Sequence, residues 1–477
     1  MTLRTIPSSK SELVHGFIHS KIGLIGIALL LILVTVSIYT ITSIPLSSFR
    51  EWNNPNYWVD YPASAAPAWT NTGVSGWKAP LHTILSSKSN IISTTEDTYK
   101  GISITSQSYT IKFDYDSYPT DFMIPYSVRY GDIPPVLEID VIRPDKKDFK
   151  IYYSSLPSNE LSGQGEVGKQ EQLNEYSSRI FSTDRSISKN LRQYSSLFQY
   201  PQDVTRPEIM IFSDTEQKEV LKGIYIFKLT FYFFDSDDYI EETRIVLGGT
   251  VYGLLGTDAF RRDLAIGLLW GTPVALFIGL TVSISTSLIG LIYGIIAGYK
   301  GKGIDEALMR VNDLFISLPV FILLILLSIR FGLNIFLIVI FLIIFGWAGS
   351  AKVARSLALQ IKNLQYVEAS KLMGESDVRI IFRHIVPQLL PLTFATVAFA
   401  VPGAILTEAG LSFLGLSDPS IPSWGRILHE AYTANATALG LWWWIIPPGI
   451  MIALTGLSFA LIGYTIEQIL NPIRRFR

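Results

Sequence analysis

A helical membrane protein with one large, mostly-β insertion outside the bilayer is the fold class this sequence predicts, and three observations predict it. Hydrophobic residues fill 49% of the 477 positions and mean hydropathy is +0.33, too apolar for a soluble chain of this length. Long uncharged runs recur, each near the roughly 20 residues a helix needs to cross about 30 Å of hydrocarbon. The stretch from Ser48 to Arg244 is instead polar, rich in Tyr and Ser, and contains runs that alternate apolar with polar.

The uncharged runs place six transmembrane helices: Ile22 to Ile41, Thr272 to Tyr299, Leu314 to Ile329, Leu333 to Gly349, Leu392 to Phe413 and Trp442 to Tyr464. Arg330 to Leu333 is the break between the third and fourth. The first run is long for a signal-peptide core of roughly 7–15 apolar residues, and no Ala-x-Ala site follows it, so it predicts a retained anchor. The expected organisation is an N-terminal segment and anchor over 1–45, an outer domain over 46–250 and a five-helix core over 251–477.

Orientation follows from the Lys and Arg residues beside the helix ends, which favour the cytoplasmic side. Arg4, Lys10 and Lys21 precede the first run, Lys300, Lys302 and Arg310 follow the second, and Lys352, Arg355, Lys362, Lys371, Arg379 and Arg383 follow the fourth. Arg474, Arg475 and Arg477 close the chain, whereas the opposite loops hold little beyond Arg330 and Arg426. Both termini are therefore expected in the cytoplasm of a multi-pass plasma-membrane protein, with residues 46–250 outside. Trp442, Trp443 and Trp444 are expected at the outer interface, where amphipathic rings anchor helices.

In the insertion, Ile111 to Tyr115 and Val136 to Val141 alternate with the period of a half-buried strand. Ile224 to Phe234 and Tyr239 to Leu247 flank Asp235-Ser236-Asp237-Asp238 and predict a hairpin with a solvated acidic turn. That turn lacks the ordered spacing of a calcium loop. Ser155 to Ser188 has little apolar periodicity and predicts a long mobile loop.

Several function classes fall away. Lys and Arg total 39 against 40 Asp and Glu, without a dense basic stripe, so a nucleic-acid partner has no electrostatic support. There is no cysteine, which removes disulfides, thiolate metal sites and Cys nucleophiles. No acid/base pair, metal spacing or phosphate-binding Gly-x-x-x-x-Gly-Lys loop occurs, so the chain is not expected to be an enzyme or to hold a cofactor. A secondary transporter needs ionisable residues within its spans, which are nearly uncharged here. An extracellular sensor needs a cytoplasmic output domain, and the inner loops are short.

The most informative segment runs from Tyr366 to Pro387, between the fourth and fifth spans. Its first half predicts a short amphipathic helix ending at Gly374, a residue that accepts a left-handed conformation, with Ser376 placed to cap a second helix. Glu368 and Lys371 with apolar Val367, Leu372 and Met373 are expected to form one exposed surface suited to a partner's groove. The segment resembles the EAA loop of ABC importer permeases, with Glu368-Ala369-Ser370 for Glu-Ala-Ala, then Gly374 and Pro387. Gly256-Thr257-Asp258, Arg262-Asp263, Ala297-Gly298-Tyr299, Asp305-Glu306, Glu408 to Leu416 and Pro422-Ser423-Trp424-Gly425 resemble the dipeptide/oligopeptide/nickel permease family of type I importers, in order from Gly256 almost to Arg477. Two departures stand out: Arg261 where that family usually has Gly, and His384 and Val386 against the general loop consensus.

The resemblance implies a permease subunit that imports peptides, or in related systems oligosaccharides or nickel. It implies a second homologous permease, two ATPase subunits carrying ATP and Mg, an external solute-binding protein and membrane lipid as partners. It assigns ATPase coupling to Glu368, Ala369, Ser370, Lys371, Leu372, Gly374 and Pro387. Glu408, near the outer end of the fifth span, is a candidate for the translocation path, with interhelical packing as the competing reading. Asn312 is a second path candidate, for which helix capping beside Asp313 competes. The large insertion is not carried over by the resemblance.

Overall fold

In the computed structural model, residues 17–72, 78–88, 93–99, 101–131, 133–157, 174–332 and 334–470 are described. The chain divides into two compact units, one of residues 1–54 and 266–477 and one of residues 55–265. Arg4, Lys10, Leu333 and the C-terminal arginines lie outside the described residues.

The helical unit contains α1 (Lys21–Ser43), α2 (Leu264–Lys300), α3 (Lys302–Ser317), α4 (Val320–Phe331), α5 (Ile335–Lys362), α6 (Gln365–Leu372), α7 (Asp377–Phe413), α8 (Trp424–Thr433) and α9 (Trp442–Leu470). Five of these, α1, α2, α5, α7 and α9, are individually long and apolar enough to cross a membrane, and six spans result if α3 and α4 count as one. The expected span from Leu314 to Ile329 is not one helix, because α3 and α4 meet at 73°. Pro319 supplies the reason: it disfavours helical backbone at Leu318, which is extended with ψ 133°, and it has no N–H to continue the ladder. The tryptophan run also differs from expectation. Trp442 is exposed, but Trp443 and Trp444 are buried, so packing rather than an interfacial belt holds two of the three.

The second unit is a two-sheet sandwich of β1 (Thr83–Ser86), β2 (Ser93–Tyr99), β3 (Ile102–Phe113), β4 (Phe122–Tyr130), β5 (Val136–Ile142), β6 (Asp148–Ser155), β7 (Asn174–Phe181), β8 (Gly223–Phe233) and β9 (Tyr239–Leu247). One sheet has the order β1-β9-β4-β7 and the other β2-β3-β8-β5-β6, with antiparallel pairings throughout. Alternate residues of both sheets, among them Ile124, Tyr126, Val128, Ile139, Val141, Phe227 and Phe231, meet in one aromatic-rich core. Packing alone suffices without a disulfide.

Two expectations fail in this unit. β8 and β9 are not a hairpin, for they belong to different sheets and Asp235 to Asp238 forms the corner between them. Alternation marks a strand but not its neighbour, and β8 pairs with β3 and β5 instead. Asp238 Oδ1 accepts the Gly131 N–H at 2.9 Å, so the acidic turn serves the chain itself. Nor is Ser155 to Ser188 all loop: β7 pairs with β4, and a helix covers Arg185–Leu191. β7 is an edge strand with polar outer positions, which is why its apolar signal is weak.

The Gly256-to-Asp263 stretch is built around Asp258, which is fully buried, accepts the N–H groups of Phe260 and Arg262, and pairs with Arg262 Nε at 2.6 Å. Arg261 stands at φ +69°, so the left-handed turn that Gly would provide is kept by an L-residue at a cost of about 1–2 kcal/mol. Its guanidinium offsets this by pairing with Asp121 and donating to the Tyr61 carbonyl at 2.8 Å.

Asp140 gives this unit a pH dependence. Burial, then the charges of Glu138 and Asp148, push its carboxyl up to about 6, against the opposing pull of Lys150 and Lys228. The folded state therefore holds this proton more tightly than the unfolded chain, so the contribution is fully present below pH 3.8 and is lost progressively as pH rises from there through about 6. Asp140→Asn is expected to raise the unfolding temperature clearly more at pH 7.5 than at pH 4.5. Thermal melts of the purified protein check this, and an equal shift at both pH values counts against it.

Candidate coupling site

The chain leaves α5 at Lys362, turns through an extended Leu364 and enters α6. α6 is too short to be stable alone and is held by its inner face. Val367 packs among Leu291, Ile295, Tyr299, Ala354, Ala358, Ile361, Ile380, Ile385 and Leu389. Ser370, one turn on, is buried too and donates to the Tyr366 carbonyl at 3.0 Å. Val367 is thus a core residue, not part of the exposed surface expected of it. Glu368, Ala369 and Lys371 are exposed, and Leu372 and Met373 are 89% and 79% exposed.

Gly374 ends α6 at φ +84°. Its N–H bonds the Lys371 carbonyl at 3.0 Å and the Glu375 N–H bonds the Ser370 carbonyl at 3.1 Å, the paired bonds of a Schellman cap. Ser376 occupies the N-cap position of α7, but its hydroxyl makes no capping bond. Asp377 is the anchor instead. Its Oδ1 accepts from the Tyr299 hydroxyl at 2.9 Å and its Oδ2 from Lys300 Nζ at 2.6 Å, tying the return arm to the end of α2. Glu375 Oε2 meets His384 Nε2 at 3.1 Å, a second clasp across the turn.

Ile381–Ile385 forms a π turn that ends two residues before Pro387. Proline lacks an N–H and crowds the carbonyl four residues back, and a widened turn relieves that crowding. Pro387 therefore sets the local geometry of the helix that leaves the loop.

The path candidates are held inside the chain. Glu408 is 5% exposed and accepts from the Ser412 hydroxyl at 2.5 Å, and Ser423, the N-cap of α8, donates to Ser412 at 3.4 Å. Asn312 is fully buried and donates to the Ala348 carbonyl at 2.8 Å, joining α3 to α5. It lies near the C-terminal end of α3, so the capping reading fails. Asp313 pairs with Lys352 at 2.7 Å, and Arg355 grips both carboxylate oxygens of Asp305 at 2.5 and 2.7 Å.

Sequence reasoning passed over the frame beneath the loop. Gly290, Gly294 and Gly298 line one stripe of α2 and meet Trp347, Ala351, Ala354, Arg355 and Ala358 of α5 so closely that a Cβ on any of them would collide. Three glycines at intervals of four within an apolar run are the signal that finds this contact. Tyr299 and Asp377 lay inside quoted motifs, but nothing local in the sequence announces their bond.

Residues 290–475 match the family model described as binding-protein-dependent transport system inner membrane component. The dipeptide transport system permease protein DppC of Bacillus subtilis is 35% identical over 218 residues, which is 46% of this chain and 68% of that protein. The oligopeptide transport system permease protein OppC of Haemophilus influenzae is 36% identical over 222 residues, 46% of this chain and 70% of that protein. OppC of Bacillus subtilis is 35% identical over 218 residues, 46% and 70% of the two chains. Long apolar helices, the family match and these identities agree, and the chain belongs to the binding-protein-dependent transport inner membrane family, as a multi-pass permease of the DppC/OppC kind.

Proposed function

We propose that this chain is one of two permease subunits of an importer that takes up peptides and is driven by two ATPase subunits carrying ATP and Mg. The observation that carries the reading is the exposed surface of Glu368, Ala369, Lys371, Leu372 and Met373, presented by a short helix that is seated on buried Val367 and Ser370 and capped at Gly374. Two bare apolar side chains beside a charged pair suit a groove on a partner. Clasped by Asp377 to Tyr299 and Lys300, the loop passes a displacement at α6 to α2 and α7 together, so closure of the ATPases moves helices that frame the solute path.

In this reading six helices span the membrane, α3 and α4 together making one of them, both termini are cytoplasmic, and residues 46–250 are outside with an external binding protein. A role for Glu408 or Asn312 in the path requires exchange of the bonds that now hold them. Peptide is the solute class favoured over oligosaccharide or nickel, because the relatives that match are named for dipeptide and oligopeptide transport.

The test is ATP hydrolysis by the native complex in proteoliposomes with its binding protein. Oligopeptides are expected to stimulate it, and Glu368→Lys to remove most of the stimulation while insertion is unchanged. Stimulation by nickel or an oligosaccharide alone sinks the peptide assignment, and full stimulation in Glu368→Lys sinks the coupling assignment.

A further inference from the structure

The outer face of the β1-β9-β4-β7 sheet forms an open groove of about 630 Å³, within the roughly 300–1,000 Å³ of small-ligand sites. Ile124, Tyr126 and Val128 of β4 point into the core, so Pro125, Ser127 and Arg129 face the other side. Strand register arranges their neighbours in rows. Pro125 pairs with Arg179 of β7. On β9, Met123 pairs with Val246 and Tyr126 with Thr243, which sets Arg244 across from Pro125. The next row is Ser177, Ser127 and Glu242, and the third joins Glu175 to Arg129, with Glu241 3.6 Å from Arg129. One end of the groove is thus basic and the other acidic. Its lining carries Lys88, Arg179 and Arg244 against Glu175, Glu241 and Glu242, a balance of three and three.

Most of these charges have partners already. Arg244 pairs with Asp60 at 2.6 Å, Lys88 with Glu242 at 3.2 Å and Arg129 with Glu175 at 3.4 Å. Arg179 is the exception: it is exposed and has no ion-pair partner among the described residues. At about 3.3 Å per residue, two to four residues along β7 separate the basic row from the acidic ones by roughly 7–13 Å. An extended peptide advances by nearly the same rise, so its terminal charges match that span at two to four residues.

We propose that this groove is a binding site for a short zwitterionic solute, a di- to tetrapeptide, with its carboxylate on Arg179 and its ammonium at Glu241 and Glu242. Pro125, beside Arg179 in the basic row, and Phe181, two residues further along β7, give that end an apolar border, and Val59 lines the same groove. The zwitterion follows from the groove, whereas its being a peptide rests on the proposed function. The domain then gathers solute at a site separate from any on a binding protein.

The test is equilibrium dialysis of radiolabelled trialanine against the full chain in lipid nanodiscs, without binding protein. Saturable binding is expected, absent for N-acetyl-trialanine amide, which has neither terminal charge. Arg179→Glu is expected to weaken binding about tenfold or more, the order of one charge-assisted hydrogen bond. Glu241→Lys is expected to do the same, and the double exchange to recover part of the loss. No saturable binding, equal binding of the blocked peptide, or binding indifferent to Arg179→Glu overturns the site. Peptide uptake by the assembled importer separates the two ideas: uptake without dialysis binding defeats the groove alone, and dialysis binding without peptide uptake defeats only the proposed function.

Discussion

Gly374→Val is expected to lower solute-driven ATP hydrolysis of the assembled importer at least about tenfold while the chain still inserts into the membrane. Bulk is not the cause, since a Cβ at Gly374 meets nothing within 4 Å. The backbone is. At φ +84° an L-residue is disfavoured by about 1–2 kcal/mol, and a β-branched one by more. That is comparable to the stability of an eight-residue helix whose C-terminal carbonyls are capped by the Gly374 and Glu375 N–H groups. Losing the cap frays the last turn, which holds Lys371 and Leu372 and leads into Met373. Gly374→Asn separates backbone from side chain, because Asn tolerates the left-handed region. It is expected to keep most of the activity. Hydrolysis assayed in proteoliposomes with the partner subunits decides the matter, and equal activity of the Val and wild-type proteins removes the cap from the mechanism.

What the sequence made legible followed from strong local signals. Uncharged runs placed the apolar helices, alternation placed β3 and β5, and the Glu368-to-Pro387 spacing marked the loop. The signals failed where a local pattern has more than one tertiary solution. β8 and β9 alternate like a hairpin, yet each finds its partners elsewhere. β7 is polar on an edge and looks like loop. Val367 is expected on one surface with Glu368 and Lys371, although successive helix positions point in different directions and the burial of Val367 with Ser370 follows from their spacing of three. The Asp377 anchor depends on Tyr299, 78 residues away in the chain, and no local pattern carries that information.

Gly294→Leu is expected to be the most damaging single substitution in the helical unit. A Cβ at this position collides with the Ala351 carbonyl and comes within 2.8 Å of both Ala354 Cβ and the Arg355 nitrogen. Carbonyl and amide belong to the α5 backbone and cannot rotate aside, so the helices must separate. Gly298 has the same problem one turn on, 2.7 Å from the Arg355 carbonyl. Overpacking of this kind costs about 1–3 kcal/mol or more, and here it also pulls apart the cluster of Leu291, Ile295, Ala354 and Ala358 on which Val367 rests. Loss of folded protein from the membrane fraction is therefore expected, and any protein that survives should show weakened coupling. Gly449→Leu is the control, since a Cβ there meets nothing within 4 Å in an equally apolar helix. Comparing membrane yield and thermal inactivation of the two variants tests the contact. Similar behaviour means that α2 and α5 are not held by the glycine stripe, whereas selective loss of Gly294→Leu places the foundation of the coupling loop in that crossing.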